Sequence, residues 1–246
     1  MIKEENLHHN WKLIQIKDCC ELLMGQSPPG TSYNEEGNGM PFLQGKAEFG
    51  KTFPNHIKFT TDPKRKTKKG SILMSVRAPV GDVNIANIDY CIGRGLASLN
   101  LKNGDNKYLF YLLNYLKPKI EGTGTGSTFK AITKSGLEKI KIPVPPLETQ
   151  KKIVEILEKA EKLKEWRSEA NELADEYLKS LFSHMFFDKE KNSDWEVKPL
   201  SEICEINPRK SEVKDLPPNT KVTFLAMEDV GEKGEIFDKK IKDLTF

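Results

Sequence analysis

The chain has no apolar run long enough to cross a membrane. Its uncharged stretches 108–116 and 180–187 fall well short of the roughly 18 apolar residues that a membrane-spanning helix needs. The first ten residues also lack the apolar core of a secretory signal peptide. We therefore expect a protein without a membrane segment that works in the cytoplasm.

Cysteine and histidine are scarce, with four residues of each in the 246-residue chain. Cys19 and Cys20 are adjacent, whereas Cys91 and Cys204 lie far from them, and no Cys-x-x-Cys spacing is present that could hold zinc. We predict four reduced thiols that mostly serve packing, no metal site and no histidine-based catalytic group.

Signatures of DNA-modifying enzymes are missing as well. An adenine methyltransferase needs an Asn/Asp-Pro-Pro-aromatic loop, but the Pro pair at 145–146 follows Val144, and Asn207-Pro208 is followed by Arg209. Acidic-x-Lys tripeptides such as 62–64 do occur, but 30% charged residues make such tripeptides at random. They therefore give little support for a Mg²⁺-dependent nuclease. We predict a chain without catalytic residues.

The formal net charge of +3 conceals an uneven distribution. Residues 1–145 carry 21 Lys and Arg against 13 Asp and Glu, a net charge of +8, whereas residues 146–192 and 193–246 carry −2 and −3. A cationic excess confined to one domain is typical of polyanion binding, because each neutralised phosphate releases condensed counterions. The alternative is a solvated basic face.

Short β-like runs alternate with helical ones in residues 11–145. The runs 71–76 and 83–86 lie between clusters of Gly, Pro and Asn, which is typical of a loop-rich sheet. Leucines at helical spacing predict a helix over 106–119, and residues 135–138 have the pattern of a capping box. The fold class predicted for this region is α+β, with mixed β-structure and small helices.

A long periodic segment follows the prolines at 143–146. Apolar residues recur in steps of three and four from Ile153 to Leu181, and neither Pro nor Gly interrupts residues 147–187. At a rise of 1.5 Å per residue, such a helix is about 60 Å long. A helix of this length is not stable on its own apolar stripe, so we predict that it pairs with a second copy or with a partner subunit.

An internal repeat begins after the predicted helix. The segment from Trp195 resembles the segment from Trp11, with Trp, Cys and Glu coinciding at an offset of 184 residues, and Phe224-Leu225 is similar to Phe42-Leu43. The first copy runs for about 135 residues before its helix, but the second has only about 52. We therefore expect residues 191–246 to form the start of a second, incomplete α+β domain.

Three segments carry residues that are suited to DNA. The glycine-rich run 122–130 lacks the Gly-Lys-Ser/Thr ending of a nucleotide-binding loop. Its small residues and lysine could approach a phosphate, or the run could be a flexible surface turn. A basic run at 64–69 could follow phosphates or stay solvated. Two arginines at loop edges could read guanine or form structural ion pairs. The candidate DNA-binding residues are Lys64, Arg65, Lys66, Lys68, Lys69, Arg77, Arg94, Gly126, Ser127, Thr128 and Lys130.

The order and spacing of five segments resemble the specificity subunit of type I restriction-modification systems, across nearly the whole chain. The segments are 25–29 with Tyr33, then 41–43, 70–81, 126–134 and 140–154. The last of these, Ile-Lys-Ile-Pro-Val-Pro-Pro-Leu-Glu-Thr-Gln-Lys-Lys-Ile-Val, looks like the entry into that family's coiled-coil helix.

The resemblance implies a target recognition domain at 1–145, a coiled-coil spacer helix at 146–190 and the start of a second recognition domain at 191–246. It also implies a non-catalytic chain that reads half of a bipartite site in double-stranded DNA and docks methyltransferase subunits. The methyltransferase subunits would bring S-adenosylmethionine, and a restriction subunit would bring ATP hydrolysis and Mg²⁺-dependent cleavage, so this chain would bind no cofactor itself.

The short second repeat departs from the family pattern and leaves two interpretations open. Two copies could pair their 147–187 helices as a homodimer and read a palindromic bipartite site. Alternatively, the chain could be an inactive decoy that binds methyltransferase or restriction subunits without reading DNA.

Overall fold

The computed structural model describes residues 11–123, 131–187, 196–204, 217, 220–231, 234–237 and 240–243. The strands are β1 (Lys12–Gln15), β2 (Cys20–Met24), β3 (Tyr33–Asn34), β4 (Met40–Leu43), β5 (Lys58–Thr60), β6 (Lys66–Thr67), β7 (Ile72–Ser75), β8 (Val83–Ile85), β9 (Tyr90–Ile92), β10 (Leu96–Leu101), β11 (Lys141–Val144), β12 (Lys221–Phe224) and β13 (Lys240–Asp243). The α-helices are α1 (Ile16–Cys19), α2 (Asn106–Thr123), α3 (Lys134–Glu138), α4 (Leu147–Phe187) and α5 (Leu200–Ile203). This order confirms the predicted α+β class and the single long helix.

The chain divides into two compact units, Met1–Ala174 and Asp175–Phe246. The first unit contains a four-stranded sheet in the order β2-β10-β7-β8 and a five-stranded sheet in the order β3-β5-β4-β9-β6. Strands β1 and β11 form a separate antiparallel pair. The domain limits predicted at 145 and 190 stay a prediction.

Helix α2 packs on the four-stranded sheet through one apolar face. Leu109, Leu113 and Ile120 are fully buried, and they contact a core that includes Ile72 and Leu99 of the sheet. This spacing is the one that predicted the helix. The structure extends the helix from the predicted end at 119 to Thr123, with Pro118 inside it.

The short helix α3 corrects one detail of the sequence analysis. The predicted capping box placed the start of this helix at Ser135, but the structure places its N-cap at Thr133. The Thr133 side chain accepts a hydrogen bond from the Gly136 N–H at 3.1 Å. Both residues carry the hydroxyl that suits this position, so the pattern alone left the register open by two residues.

Helix α4 lies against the first unit along only part of its length. Val154 is buried, and the buried Gln150 donates to the Pro145 carbonyl and accepts from the Asp105 N–H, both at 2.8 Å. Polar contacts extend this face from Val154 to Glu165, about three more turns. They are the ion pairs Lys107–Glu158 and Lys51–Glu165 and a hydrogen bond from Tyr111 to Glu161. Beyond Glu158 every residue of the helix is exposed in the described chain.

The second unit repeats elements of the first. Helix α5 of the second unit corresponds to α1 of the first, at the offset of 184 residues that the sequence showed. The 3₁₀ turn Met227–Asp229 likewise corresponds to the 3₁₀ turn Lys46–Glu48. Strand β12 pairs antiparallel with β13, as β4 pairs with β5. These described elements recur in the order that the repeat predicts, whereas a second recognition domain at 191–246 stays a prediction.

We expect Gln150→Leu to destabilise the first unit by about 1 to 3 kcal/mol, because the Asp105 N–H and the Pro145 carbonyl would lose their buried partner. Chemical denaturation monitored by circular dichroism measures this change. Gln26→Leu is the matched control, since Gln26 is exposed. Equal stability of the two variants would contradict the structural role of Gln150.

Candidate nucleic-acid interface

Three loops of the first unit meet around a cleft of about 220 Å³. One loop follows β4, the second follows β7, and the third connects β9 to β10. The residues that line the cleft are polar, cationic or small: Gln44, Gly45, Lys46, Arg77, Ala78, Arg94 and Gly95. The cleft therefore offers hydrogen-bond donors on an open surface.

Strand register brings these loops together. Strands β4 and β9 are parallel, with Leu43 opposite Ile92, so both strands end at the same edge of their sheet. Strand β7 pairs with β10 so that Ser75 lies opposite Leu96, and the Val76 N–H donates to the Gly95 carbonyl at 2.9 Å. The loop that carries Arg77 consequently lies beside the turn that carries Arg94.

Two glycines fix the arginine turn against the neighbouring loop. A Cβ atom on Gly93 would lie 3.0 Å from the Gln44 Cα, and one on Gly95 would lie 2.6 Å from the Gln44 carbonyl oxygen. At position 95 only glycine allows this approach without a backbone shift, and at position 93 a side chain would be tightly crowded. The Gly-Arg-Gly sequence thus holds the Arg94 backbone in one place.

Arg77 and Arg94 are both exposed. The sequence left open whether they form structural ion pairs, and within the described part of the chain neither guanidinium forms one. The two groups therefore keep the donors with which arginine contacts guanine or phosphate. Their role in DNA binding stays a prediction.

Asp82 connects the cleft to helix α2. Its carboxylate forms ion pairs with Lys46 at 2.8 Å and with Lys117 of α2 at 2.7 Å. Partial burial alone would raise the pKa of Asp82, but the two ammonium groups outweigh burial and lower this pKa below its ordinary value. The same contact raises the pKa of Lys117.

The basic run lies along the edge strand of the five-stranded sheet. Lys64, Arg65, Lys66, Lys68 and Lys69 are all exposed, with Lys64 paired to Asp62 at 2.7 Å. The Ile92 N–H donates to the Arg65 carbonyl, so this end of the run lies near the Arg94 turn. Lysines on an edge strand also discourage pairing with other chains.

The other end of the basic run borders a second groove. Lys66, Lys68 and Lys69 line this groove of about 420 Å³ together with Ser98 and Asn100. Because β7 and β10 are antiparallel, these residues lie at the end of the strand pair opposite Arg77 and Arg94. The structure therefore divides the predicted DNA-binding residues into two groups.

Four of the predicted DNA-binding residues, Gly126, Ser127, Thr128 and Lys130, lie outside the described residues. The chain that follows them returns to the cleft loops. Ala131 forms a β-bridge with Arg77, and the Ile132 N–H donates to the Val76 carbonyl at 3.0 Å.

Sequence reasoning missed two residues of the cleft, Gln44 and Lys46. Both follow a buried strand end, Phe42-Leu43, and both are exposed around Gly45. The signal was a glycine between two polar residues directly after an apolar run, a pattern that marks a loop tip without showing what the loop faces.

Two of the cysteines and His56 serve packing in the described part of the chain. All four cysteines are free, and Cys20 and Cys91 are buried. His56 packs edge-on against Phe59 and Tyr90. Among the described residues, no three metal-ligating side chains are grouped, and no helix is both long and apolar enough to cross a bilayer.

Comparison with known proteins identifies the family. Residues 8–173 match the family model of the type I restriction modification DNA specificity domain. A protein of Methanocaldococcus jannaschii that carries the name of the type I restriction enzyme MjaX specificity subunit is 48% identical over 178 residues, which are 71% of this chain and 42% of that protein. The chain therefore belongs to the type I restriction-modification specificity family.

Solved structures agree with this assignment. A chain from a study of complex assembly and conformational transition of the type I R-M system is 40% identical, with a TM-score of 0.66, over 74% of this chain and 46% of that one. The HsdS subunit from Thermoanaerobacter tengcongensis is 39% identical, with a TM-score of 0.62, over 69% of this chain and 42% of that one. The chain thus spans less than half of each of these relatives.

We expect Asp82→Asn to destabilise the first unit at neutral pH by about 1 to 2 kcal/mol, a low value because Lys46 is 41% exposed. Since the folded pKa of Asp82 is lowered, its contribution is present above the ordinary carboxyl pKa of 3.8 and is lost as the pH falls through the folded value. The difference between wild type and variant should therefore close below about pH 4.

Urea unfolding from pH 7 to pH 3 measures this difference. Asp62→Asn is the control, because Asp62 is 48% exposed and its pair with Lys64 should contribute no more than about 1 kcal/mol. A constant difference between wild type and Asp82→Asn across this pH range would rule out the ion pairs as its cause.

Proposed function

We propose that this chain is a DNA sequence-specificity subunit, or part of one, of a type I restriction-modification complex. In this proposal the first unit recognises one half of a bipartite site in double-stranded DNA. The observation that carries the proposal is the pair of exposed guanidinium groups, Arg77 and Arg94, in one cleft of a domain with a net charge of +8 over residues 1–145. Family membership supports the same function.

The two groups of basic residues fit different parts of this task. Arginines on preorganised loops suit hydrogen bonds to guanine O6 and N7 in the major groove. Exposed lysines along an edge strand suit phosphates, which carry affinity without sequence information. We assign contacts with base edges to Arg77 and Arg94, and contacts with DNA phosphates to Lys66, Lys68 and Lys69. Lys64 and Arg65 extend the same basic edge of the sheet. Gly126, Ser127, Thr128 and Lys130 stay candidates for phosphate contact.

Helix α4 is proposed to supply the contacts to other subunits. Ile156, Leu163 and Trp166 are 66%, 62% and 59% exposed. Such a stripe suits a paired helix, either of a second copy as a homodimer or of a methyltransferase or restriction subunit. We assign no catalytic step to this chain. S-adenosylmethionine, ATP and Mg²⁺ would be bound by the partner subunits, and the complex would act in the cytoplasm.

We expect Arg94→Gln and Arg77→Gln to relax the choice of base at one position each, by roughly 5- to 150-fold, because a bidentate guanine contact is lost. Lys68→Gln removes the same charge and is the matched control. This variant should weaken binding to all sequences equally and reduce the slope of log K against log salt by about one.

Selection of binding sequences from randomised duplexes, followed by titration at several salt concentrations, measures both effects. The chain is used alone and, in a parallel arm, with a type I methyltransferase subunit. Arginine variants that behave like Lys68→Gln would contradict base reading. A wild-type chain that binds the methyltransferase subunit and selects no sequence would favour the decoy interpretation.

We also expect the wild-type chain to self-associate at micromolar concentration, because paired helices would bury the stripe on α4. Ile156→Gln combined with Leu163→Gln should weaken this association at least tenfold, since each buried apolar side chain contributes about 1.5 to 3 kcal/mol. Lys162→Gln is the control on the same helix. Light scattering measures the mass, and a monomeric wild-type chain would contradict the homodimer.

A further inference from the structure

The turn at the base of the cleft occurs twice in this chain. In the first unit, β4 leads into the 3₁₀ turn Lys46–Glu48, and the Glu48 carboxylate accepts a hydrogen bond from the Gly45 N–H at 3.0 Å. In the second unit, β12 leads into the turn Met227–Asp229, and the Asp229 carboxylate accepts from the Ala226 N–H at 3.2 Å. Both repeats therefore build this turn with the same backbone contact.

The side chains at the tip of the turn differ between the repeats. When the two turns are superimposed residue by residue, Gln44-Gly45-Lys46 of the first unit corresponds to Leu225-Ala226-Met227 of the second. This register corrects by one residue the sequence match of Phe224-Leu225 with Phe42-Leu43, because Phe224 is the last residue of its strand, as Leu43 is. A carboxylate that caps the turn is kept in both, whereas two polar tip residues become apolar. Since the turn forms with either set, its formation does not require these tip side chains. A residue that lines a cleft, and whose side chain is not needed to form the local structure, is suited to contact a ligand.

Gln44 is held at the cleft by its backbone and is free at its side chain. Its carbonyl accepts a hydrogen bond from the Gly95 N–H at 3.2 Å, and the Gly93 and Gly95 backbones pack against it. Its amide is exposed and forms no hydrogen bond within the described residues. Lys46, in contrast, already pairs with Asp82 at 2.8 Å. The Gln44 amide therefore keeps both its donor and its acceptor for a ligand.

We propose that Gln44 is a specificity-determining residue that reads adenine at one position of the target. This inference rests on the proposed function. A glutamine amide matches adenine in the major groove, because it accepts from N6 and donates to N7 at the same time. Arg77 and Arg94 line the same cleft as Gln44 and would read other positions of the target. The side chain at position 44 therefore selects one base of the sequence that this unit binds.

Two substitutions of Gln44 should each change the base that is preferred at one position of the target. Gln44→Leu reproduces Leu225 of the second unit and offers only apolar contact, which suits the thymine methyl group. Gln44→Glu offers only acceptors, which suits cytosine N4. Each variant should change the preferred base at the same single position, from adenine to thymine or to cytosine, by roughly tenfold. The other positions of the selected sequence should stay unchanged.

The test is selection from randomised duplexes with the full 246-residue chain, alone and with a type I methyltransferase subunit. Asn103→Leu is the matched control, because Asn103 is an exposed amide beyond the end of β10 that is far from the cleft. Thermal unfolding by circular dichroism checks that each variant folds. Affinity of Gln44→Leu for random-sequence DNA should stay within about threefold of wild type, because this substitution changes no charge. The added carboxylate of Gln44→Glu should weaken binding to all sequences equally, so its base preference is read from relative affinities.

The outcomes separate this inference from the proposed function. A base change at one position in both Gln44 variants, and none in Asn103→Leu, supports the inference. A wild-type sequence preference that both Gln44 variants retain would overturn the role of Gln44 and leave the proposed function standing. A wild-type chain that selects no sequence in either arm would overturn both.

Discussion

The backbone of the Gly93–Gly95 turn lies so close to the backbone of Gln44 that a side chain on Gly95 would force a shift and one on Gly93 would be tightly crowded. The rest of the cleft depends on this contact. It joins the end of β9 to the end of β4, and the Gly95 carbonyl accepts from the Val76 N–H and so joins both to the end of β7. Three loops that would otherwise move independently thereby share one framework. The backbones of such loops lose little conformational entropy on binding, which favours a precise choice of ligand.

Asp82 extends this framework into the body of the first unit. It joins the cleft loop, through Lys46, to helix α2, through Lys117. Helix α2 in turn contacts α4 through Lys107 and Tyr111. Charged and polar contacts therefore connect the cleft to the long helix through one intervening helix, whose other face lies in the apolar core. Ion pairs at this degree of exposure contribute modestly to stability, so their main effect is to fix the positions of the groups they join.

The sequence predicted those parts of the fold that depend on local pattern. The apolar spacing of α2, the uninterrupted periodicity of α4 and the repeat at an offset of 184 were all readable from residue order. The cleft was only partly predictable. Arg77 and Arg94 are flanked by Gly, Ala and Pro, which marked them as loop residues, but their proximity results from strand register between segments 17 residues apart in the chain. Gln44 and Lys46 join the cleft through a parallel pairing of β4 with β9, which no local pattern encodes.

The exposed stripe of α4 sets a requirement on any assembly that contains this chain. A helix as long as Leu147–Phe187 gains most of its stability from packing, yet the last of its residues that the structure shows as buried is Val154. The ion pairs at Glu158 and Glu165 are largely exposed and cannot replace a buried face. Leu163, Trp166 and Leu173 each have more than half of their surface in water. Covering them would contribute several kcal/mol in total, enough to offset much of the entropy cost of association. In the proposed function, recognition and assembly therefore use separate surfaces of this chain: the polar loops at the cleft and the apolar helical face on α4.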